Sequence, residues 1–189
     1  QRVGIALSAL GKYLKMILVP YPMSYYYGYA YFKPIDMLEA GPLVILISHL
    51  LLLLVAFLTI RRIPIISYSI FFYLASIFVF SNLLIPVPGV IGDRFLLIPS
   101  IGFAVALVSG AYMLFQQLFD QPVVFGGSWT KPLQLSFVVL MAIYILLTVQ
   151  RNSQWKDHIT LFQHDIEVVG NSAQAQNLLA VHLFKKAQE

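Results

Sequence analysis

The chain has 189 residues, of which 59% are hydrophobic and only 11% charged, with mean hydropathy +0.80, a formal net charge of +4 and a pI near 9.3. Ordinary water-soluble domains carry about 25% charged residues, and no single core of this size could hide such an apolar excess. The basic surplus sits in residues 1–150, without a Lys/Arg cluster interleaved with aromatics, which argues against a nucleic-acid role. With no cysteine there are no disulfides, thiolate metal sites or thiol nucleophiles. The first residue is Gln1 rather than Met, and the chain reads as a fragment of a longer protein.

A helix needs about 20 mostly apolar residues to cross a hydrocarbon core. The first candidate, Val3–Val19, carries Lys12 and Lys15 three apart on one face, so it reads either as an interfacial amphipathic helix or as a tilted span. The loop Tyr21–Phe32, YPMSYYYGYAYF, is dense in aromatics and fits a headgroup-level belt or a platform for a lipid headgroup or sugar. The charge-free runs that follow are Ala40–Ile60, Ile63–Gly92, Phe95–Phe119 and Pro132–Gln150. They predict spans over about 41–60, 67–85, 95–115 and 132–150. Arg61-Arg62 marks the turn after the first of these as cytoplasmic, which puts Pro20–Glu39, Pro86–Arg94 and the tail after Arg151 outside.

Residues 151–189 are different in kind, with eight charges and no long apolar run. They predict a soluble helical tail. Its first helix, about Ser153–Val169, carries the stripe Trp155, Ile159, Phe162, Ile166 and Val169; Asn171 or Ser172 caps a second with Ala173, Ala175, Leu178, Leu179 and Leu183 at helical spacing.

The adjacent Asp93 and Arg94, following Pro86, Pro88 and Gly89, are the most informative charges, since they lie where an outer loop re-enters the membrane. A guanidinium there either snorkels to lipid phosphates or grips one phosphate with two parallel hydrogen bonds, with Asp93 orienting Arg94 or contacting a hydroxyl. The outer carboxylates Asp36, Glu39 and Asp93 form no pair suited to acid–base work, so the catalytic residues stay unassigned. His49, alone in mid-span, reads as a helix–helix hydrogen bond; His158 and His164 have poor spacing for a metal, and no metal site is expected.

Three stretches, LVPYPMSYYYGY at Leu18–Tyr29, DRFLLIPSIGF at Asp93–Phe103 and RNSQWKDHITLFQHDI with NSAQAQNLLA after it, together resemble the transmembrane and tetratricopeptide-repeat (TMTC) proteins and their bacterial relatives, O-mannosyltransferase-like proteins of the GT-C class. The resemblance implies an all-α polytopic membrane protein, with four to five transmembrane helices from the back half of a GT-C fold, followed by the start of an external tetratricopeptide-like repeat. It implies a glycosyltransferase that uses a lipid-linked (polyprenyl-phosphate) sugar as donor substrate and needs no certain cofactor. Arg94, Asp93, Ser24, Tyr25, Tyr26 and Tyr27 would bind that substrate. Where family members often have Asp two residues after the loop serine, this chain has Tyr26, and the catalytic acid is expected upstream of these residues. The implied partners are membrane lipids, the lipid-linked sugar and a protein acceptor or partner bound through the external repeats. The alternative is a non-catalytic membrane anchor or scaffold whose repeats bind a protein. No Asn-x-Ser/Thr sequon occurs in the tail, which favours a bacterial inner membrane slightly over the endoplasmic reticulum.

Overall fold

A computed structural model describes residues 2–25, 27–28, 31, 36–83, 91–119 and 131–188. Tyr26, Lys33, the Pro86-to-Gly89 stretch and residues 120–130 between the last two predicted spans lie outside the described residues. The described chain is helical: α1 (Arg2–Leu18), α2 (Ala40–Thr59), α3 (Pro64–Val79), a single 3-10 turn at Asp93–Leu96 running into α4 (Leu97–Phe119), α5 (Lys131–Gln154), α6 (His158–Val169) and α7 (Ala173–Gln188). Three segments, Ala40–Thr59, Asp93–Gln117 and Gln134–Gln154, are long and apolar enough to cross a bilayer. This is a helical membrane protein, and the apolar excess lies on its outer surface: Leu58, Leu97 and Leu146 are each more than two-thirds exposed.

The fourth apolar helix, α3, has 16 residues, about 24 Å of helix, and is shorter than the predicted 67–85 segment. Pro64 at its first turn favours the start there, and at the other end the chain turns over 80–83 with Asn82 at φ 61°, a left-handed conformation that no helix continues through. An apolar run need not be a helix throughout. α3 is also the helix at the centre, packed between α2 and α4. Its buried serine hydroxyls are satisfied within the bundle: Ser67 donates to the Ala56 carbonyl on α2 at 2.8 Å, and Ser69 donates to Ile65 one turn back. Gly102 of α4 lies against this helix so closely that a Cβ would come within 2.7 Å of the Ser69 carbonyl oxygen and 2.9 Å of the Tyr73 amide nitrogen. His49 meets the sequence expectation, with Nδ1 2.9 Å from the Ile45 carbonyl and Nε2 3.5 Å from the Tyr73 hydroxyl on α3.

α1 packs against the end of the bundle where α2 begins and α3 ends. Arg2 reaches the Leu83 carbonyl beyond α3, Gly11 lies against Ile45 near the start of α2, and the Tyr13 hydroxyl accepts the Gly92 amide before the 3-10 turn. All these partners are at one end of the bundle, so α1 packs on that end. Ala6, Leu7, Ala9, Leu10, Tyr13 and Met16 are buried beneath it.

The tail begins later than the stripe suggested. α5 runs unbroken to Gln154, the chain turns at 155–157, and Asp157 then caps α6 by accepting from both the amide and the hydroxyl of Thr160 at 2.8 Å. These two bonds hold the Asp157 carboxyl below the usual carboxylate range. Ser172, buried, accepts the Ala175 amide at the start of α7, and the His182 ring lies 5.0 Å from Phe162 and 4.9 Å from His158 to hold the two tail helices together.

Candidate functional site

The described members of the predicted site, Ser24, Tyr25, Tyr27, Asp93 and Arg94, lie at the end of the bundle that α1 covers, and the tail meets them there. The path after α1 doubles back through Ser24, whose amide donates to the Tyr27 hydroxyl at 3.1 Å; that hydroxyl in turn points to the Met16 sulfur at 3.3 Å. Ser24 and Tyr27 are both fully buried, and burial pushes the Tyr27 phenol well above its ordinary range. Tyr27 therefore serves as a neutral hydrogen-bonding post. Its ring edges onto Tyr31, and Lys12 of α1 lies over both rings with Nζ 5.1 and 5.4 Å from their centroids. The lysine that reads from sequence as a liability in a span is spent on this aromatic pair.

Tyr25 occupies the centre. Its amide donates to Oδ2 of Asp165 on α6 at 3.0 Å, and its ring stands edge-on to Trp155 at 5.6 Å and to Phe162 at 6.2 Å. The Arg94 guanidinium lies 5.0 Å from the same ring and 4.9 Å from that of Phe95. Arg94 is exposed, and among the described residues no carboxylate lies within ion-pair distance of it. Tyr26 belongs to the stretch outside the described residues.

Asp93 does not orient Arg94, as its adjacency suggests; its carboxylate faces Arg151 at 3.5 Å. Consecutive residues of a tight 3-10 turn point in different directions, so Asp93 looks inward toward α5 while Arg94 looks outward. Arg151, in the last turn of α5, has its other nitrogen 4.0 Å from Asp165 and 2.7 Å from the Gln154 side-chain oxygen, and lies 5.7 Å from the Trp155 ring. The side chains of Arg151, Asp93 and Asp165 are 11%, 19% and 1% exposed. Burial raises the Asp165 pKa, with Arg151, the Ser24 hydroxyl and the Tyr25 amide pulling against it. Among the described residues Oδ1 of each acid has no hydrogen-bond partner, while Asp93 Oδ2 accepts from Arg151 at 3.5 Å and Asp165 Oδ2 accepts the Tyr25 amide.

Arg151 and Asp165 are thus parts of the site that local sequence reading does not single out, and Lys12 and Trp155, noted there for other reasons, join it as well. For Asp165 a signal existed. It lies three residues after Phe162 and four before Val169, on the apolar stripe of α6, where a carboxylate is out of place unless it has a buried partner. Chemically, the arrangement joins one exposed, unneutralised guanidinium to an aromatic floor, with a second guanidinium fully engaged behind it. No described group of His, Asp and Glu could hold a metal ion.

Over 97 residues, 51% of the chain, the sequence is 34% identical to the mouse protein named Protein O-mannosyl-transferase TMTC3, 31% identical to the Drosophila melanogaster Tmtc3 and 34% identical to the human TMTC3. The chain spans about a tenth of the length of these curated relatives. No family model and no solved structure matches it. Half of this helical membrane chain is therefore similar to a segment of proteins that carry the name of O-mannosyl-transferases.

Proposed function

We propose that this chain is the membrane part of a glycosyltransferase that passes a sugar from a polyprenyl-phosphate donor to protein hydroxyls on the periplasmic or lumenal side. The observation that carries the reading is Arg94, a guanidinium at the membrane boundary with no described carboxylate to neutralise it, set over the Tyr25 ring. An arginine can bind two oxygens of one phosphate through parallel N–H donors, and the leaving phosphate gains charge as the bond from sugar to phosphate breaks. In that step the acceptor oxygen bonds to the anomeric carbon, its proton passes to a general base, and the electron pair of the broken bond stays on the phosphate. That base is not assigned to any residue of this chain. In this reading Tyr25 floors the donor site beneath Arg94, the buried Ser24 and Tyr27 brace the loop behind it, and Asp93 supports the site by holding Arg151 beside it. The similarity to named O-mannosyl-transferases supports sugar transfer, and the outer side is chosen from the cytoplasmic reading of Arg61-Arg62. Comparing Arg94→Ala with Arg94→Lys in the full-length protein tests it. Loss of glycan transfer of at least about a hundredfold in the first and partial retention in the second are expected; full transfer by both variants removes Arg94 from the phosphate.

A second reading, a non-catalytic anchor, rests on α7. Val181, Leu183 and Phe184 are 42%, 44% and 65% exposed, which is how a helical hairpin looks before the next repeat or a partner covers it. A stable protein partner recovered on the full-length protein, together with no transferase activity in the wild type, would decide for it.

A further inference from the structure

The tail touches the membrane domain at the residues that set the Arg94 site, and this contact has a defined chemistry. Asp165 is a carboxylate on a helix outside the membrane, its side chain 1% exposed, and one of its oxygens accepts the amide of Tyr25, 140 residues earlier in the chain. The other faces Arg151, which also holds Asp93, the immediate neighbour of Arg94. Two routes therefore lead from one tail residue to the same guanidinium: Asp165 to the Tyr25 backbone to the ring under Arg94, and Asp165 to Arg151 to Asp93 in the 3-10 turn that carries Arg94. Trp155 and Phe162 close the far edge of the Tyr25 ring, so backbone and ring are both held from the tail.

We infer that the tail is a wall of the Arg94 site, with Asp165 as a positioning residue that sets Tyr25 beneath the Arg94 guanidinium, so that anion binding at Arg94 and docking of the tail strengthen each other. The inference rests on the proposed phosphate-binding reading and extends it to the regulation of that site. Reciprocity follows from linkage: if docking of α6 favours the anion-binding arrangement, the bound anion must favour docking by the same factor. A protein bound along the external helices would then alter donor affinity without touching the donor.

The positioning role and simple electrostatics predict opposite signs. Asp165→Asn removes a negative charge near the site, which by charge alone tightens anion binding. It also weakens a charge-assisted bond to the Tyr25 amide and releases Arg151 from one of its two acids, which by positioning weakens it. The test uses the full-length protein in nanodiscs with a polyprenyl monophosphate as probe, and reads probe affinity together with amide exchange over residues 21–25 and 158–169. For Asp165→Asn the expected results are about tenfold weaker probe binding and faster exchange at Tyr25. In the wild type, saturating probe should slow exchange in α6, and this slowing should vanish in Asp165→Asn. Unchanged or tighter binding, or exchange in α6 indifferent to the probe, overturns the inference.

Should Asp165→Asn fail to fold, Asp165→Glu keeps the charge while moving the acceptor, so weaker binding is expected from positioning and unchanged binding overturns it. Arg94→Ala separates the two levels. Lost probe binding with normal Tyr25 exchange leaves the phosphate reading standing whatever Asp165 does; undiminished probe binding brings down the phosphate reading, and this inference with it.

Discussion

Leu58, on α2, is 68% exposed, and Asp165, on α6, has a side chain 1% exposed. In a water-soluble protein the two would exchange places, and the contrast separates the two solvents this molecule meets. Along α2, α4 and α5 the apolar surface faces lipid and gains little from further packing, so helix contacts depend on close approach and satisfied hydroxyls, as at Gly102 and Ser67. At the covered end, charges are buried in protein and each must be answered by another. Lys12 lies over two tyrosine rings, and Arg151 is shared between two acids. Burial at that end measures mutual dependence among polar groups rather than apolar area removed from water.

The comparison breaks most sharply at Arg151. Arg151→Met leaves Asp93 and Asp165 without their shared cation, and the expected loss of tail docking is about 3–5 kcal/mol, read as lost amide protection over α6 and α7. Adding Asp165→Asn to that variant should restore part of the loss. On the lipid side, Leu51→Arg disturbs almost no protein contact, since Leu51 is 54% exposed, yet it should raise the insertion free energy of α2 by about 2.5–3.5 kcal/mol, read as the inserted fraction. Gly102→Ala adds one methyl group against backbone that cannot yield, with an expected loss of about 1–3 kcal/mol in bundle stability by reversible unfolding in detergent.

The smallest effect is a pH dependence. Because the Asp165 pKa is raised in the folded protein, the docked tail binds more protons than the released one in the window above the ordinary carboxylate range. The contribution is therefore fully present below the unfolded pKa and is lost as pH rises through the folded one. Amide protection of α6 should increase on acidification into that window, and the increase should shrink in Asp165→Asn, where Asp93, facing Arg151, and the neighbouring His164 remain.

Much of the frame could be read from charge-free runs, because lipid imposes length and apolarity on any crossing helix. α2, α4 and α5 follow those runs closely. The end of α3 did not follow from them, since the turn at Asn82 lies inside a still-apolar stretch and depends on backbone conformation. At the site, the Asp93-Arg94 pair and the tyrosine loop stood out locally, by composition. Their partners did not: Arg151 lies 58 residues from Asp93, and Asp165 lies 140 from Tyr25, distances over which no local pattern reports a contact. Adjacency even misled, because it suggested that Asp93 serves Arg94, whereas the 3-10 turn separates the two.

α5 reaches from the lipid to Arg151 without a break, 24 residues in one rod of about 36 Å. Such a rod is a lever. Changing its tilt by about 10° to suit a thinner or thicker bilayer sweeps its tip through about 6 Å, more than the separations that hold Arg151 to its two acids. A change of lipid thickness is then expected to strain the tail junction. Nanodiscs of shorter and longer acyl chains should give different amide protection in α6, and equal protection across them would mean that the junction yields before the rod does.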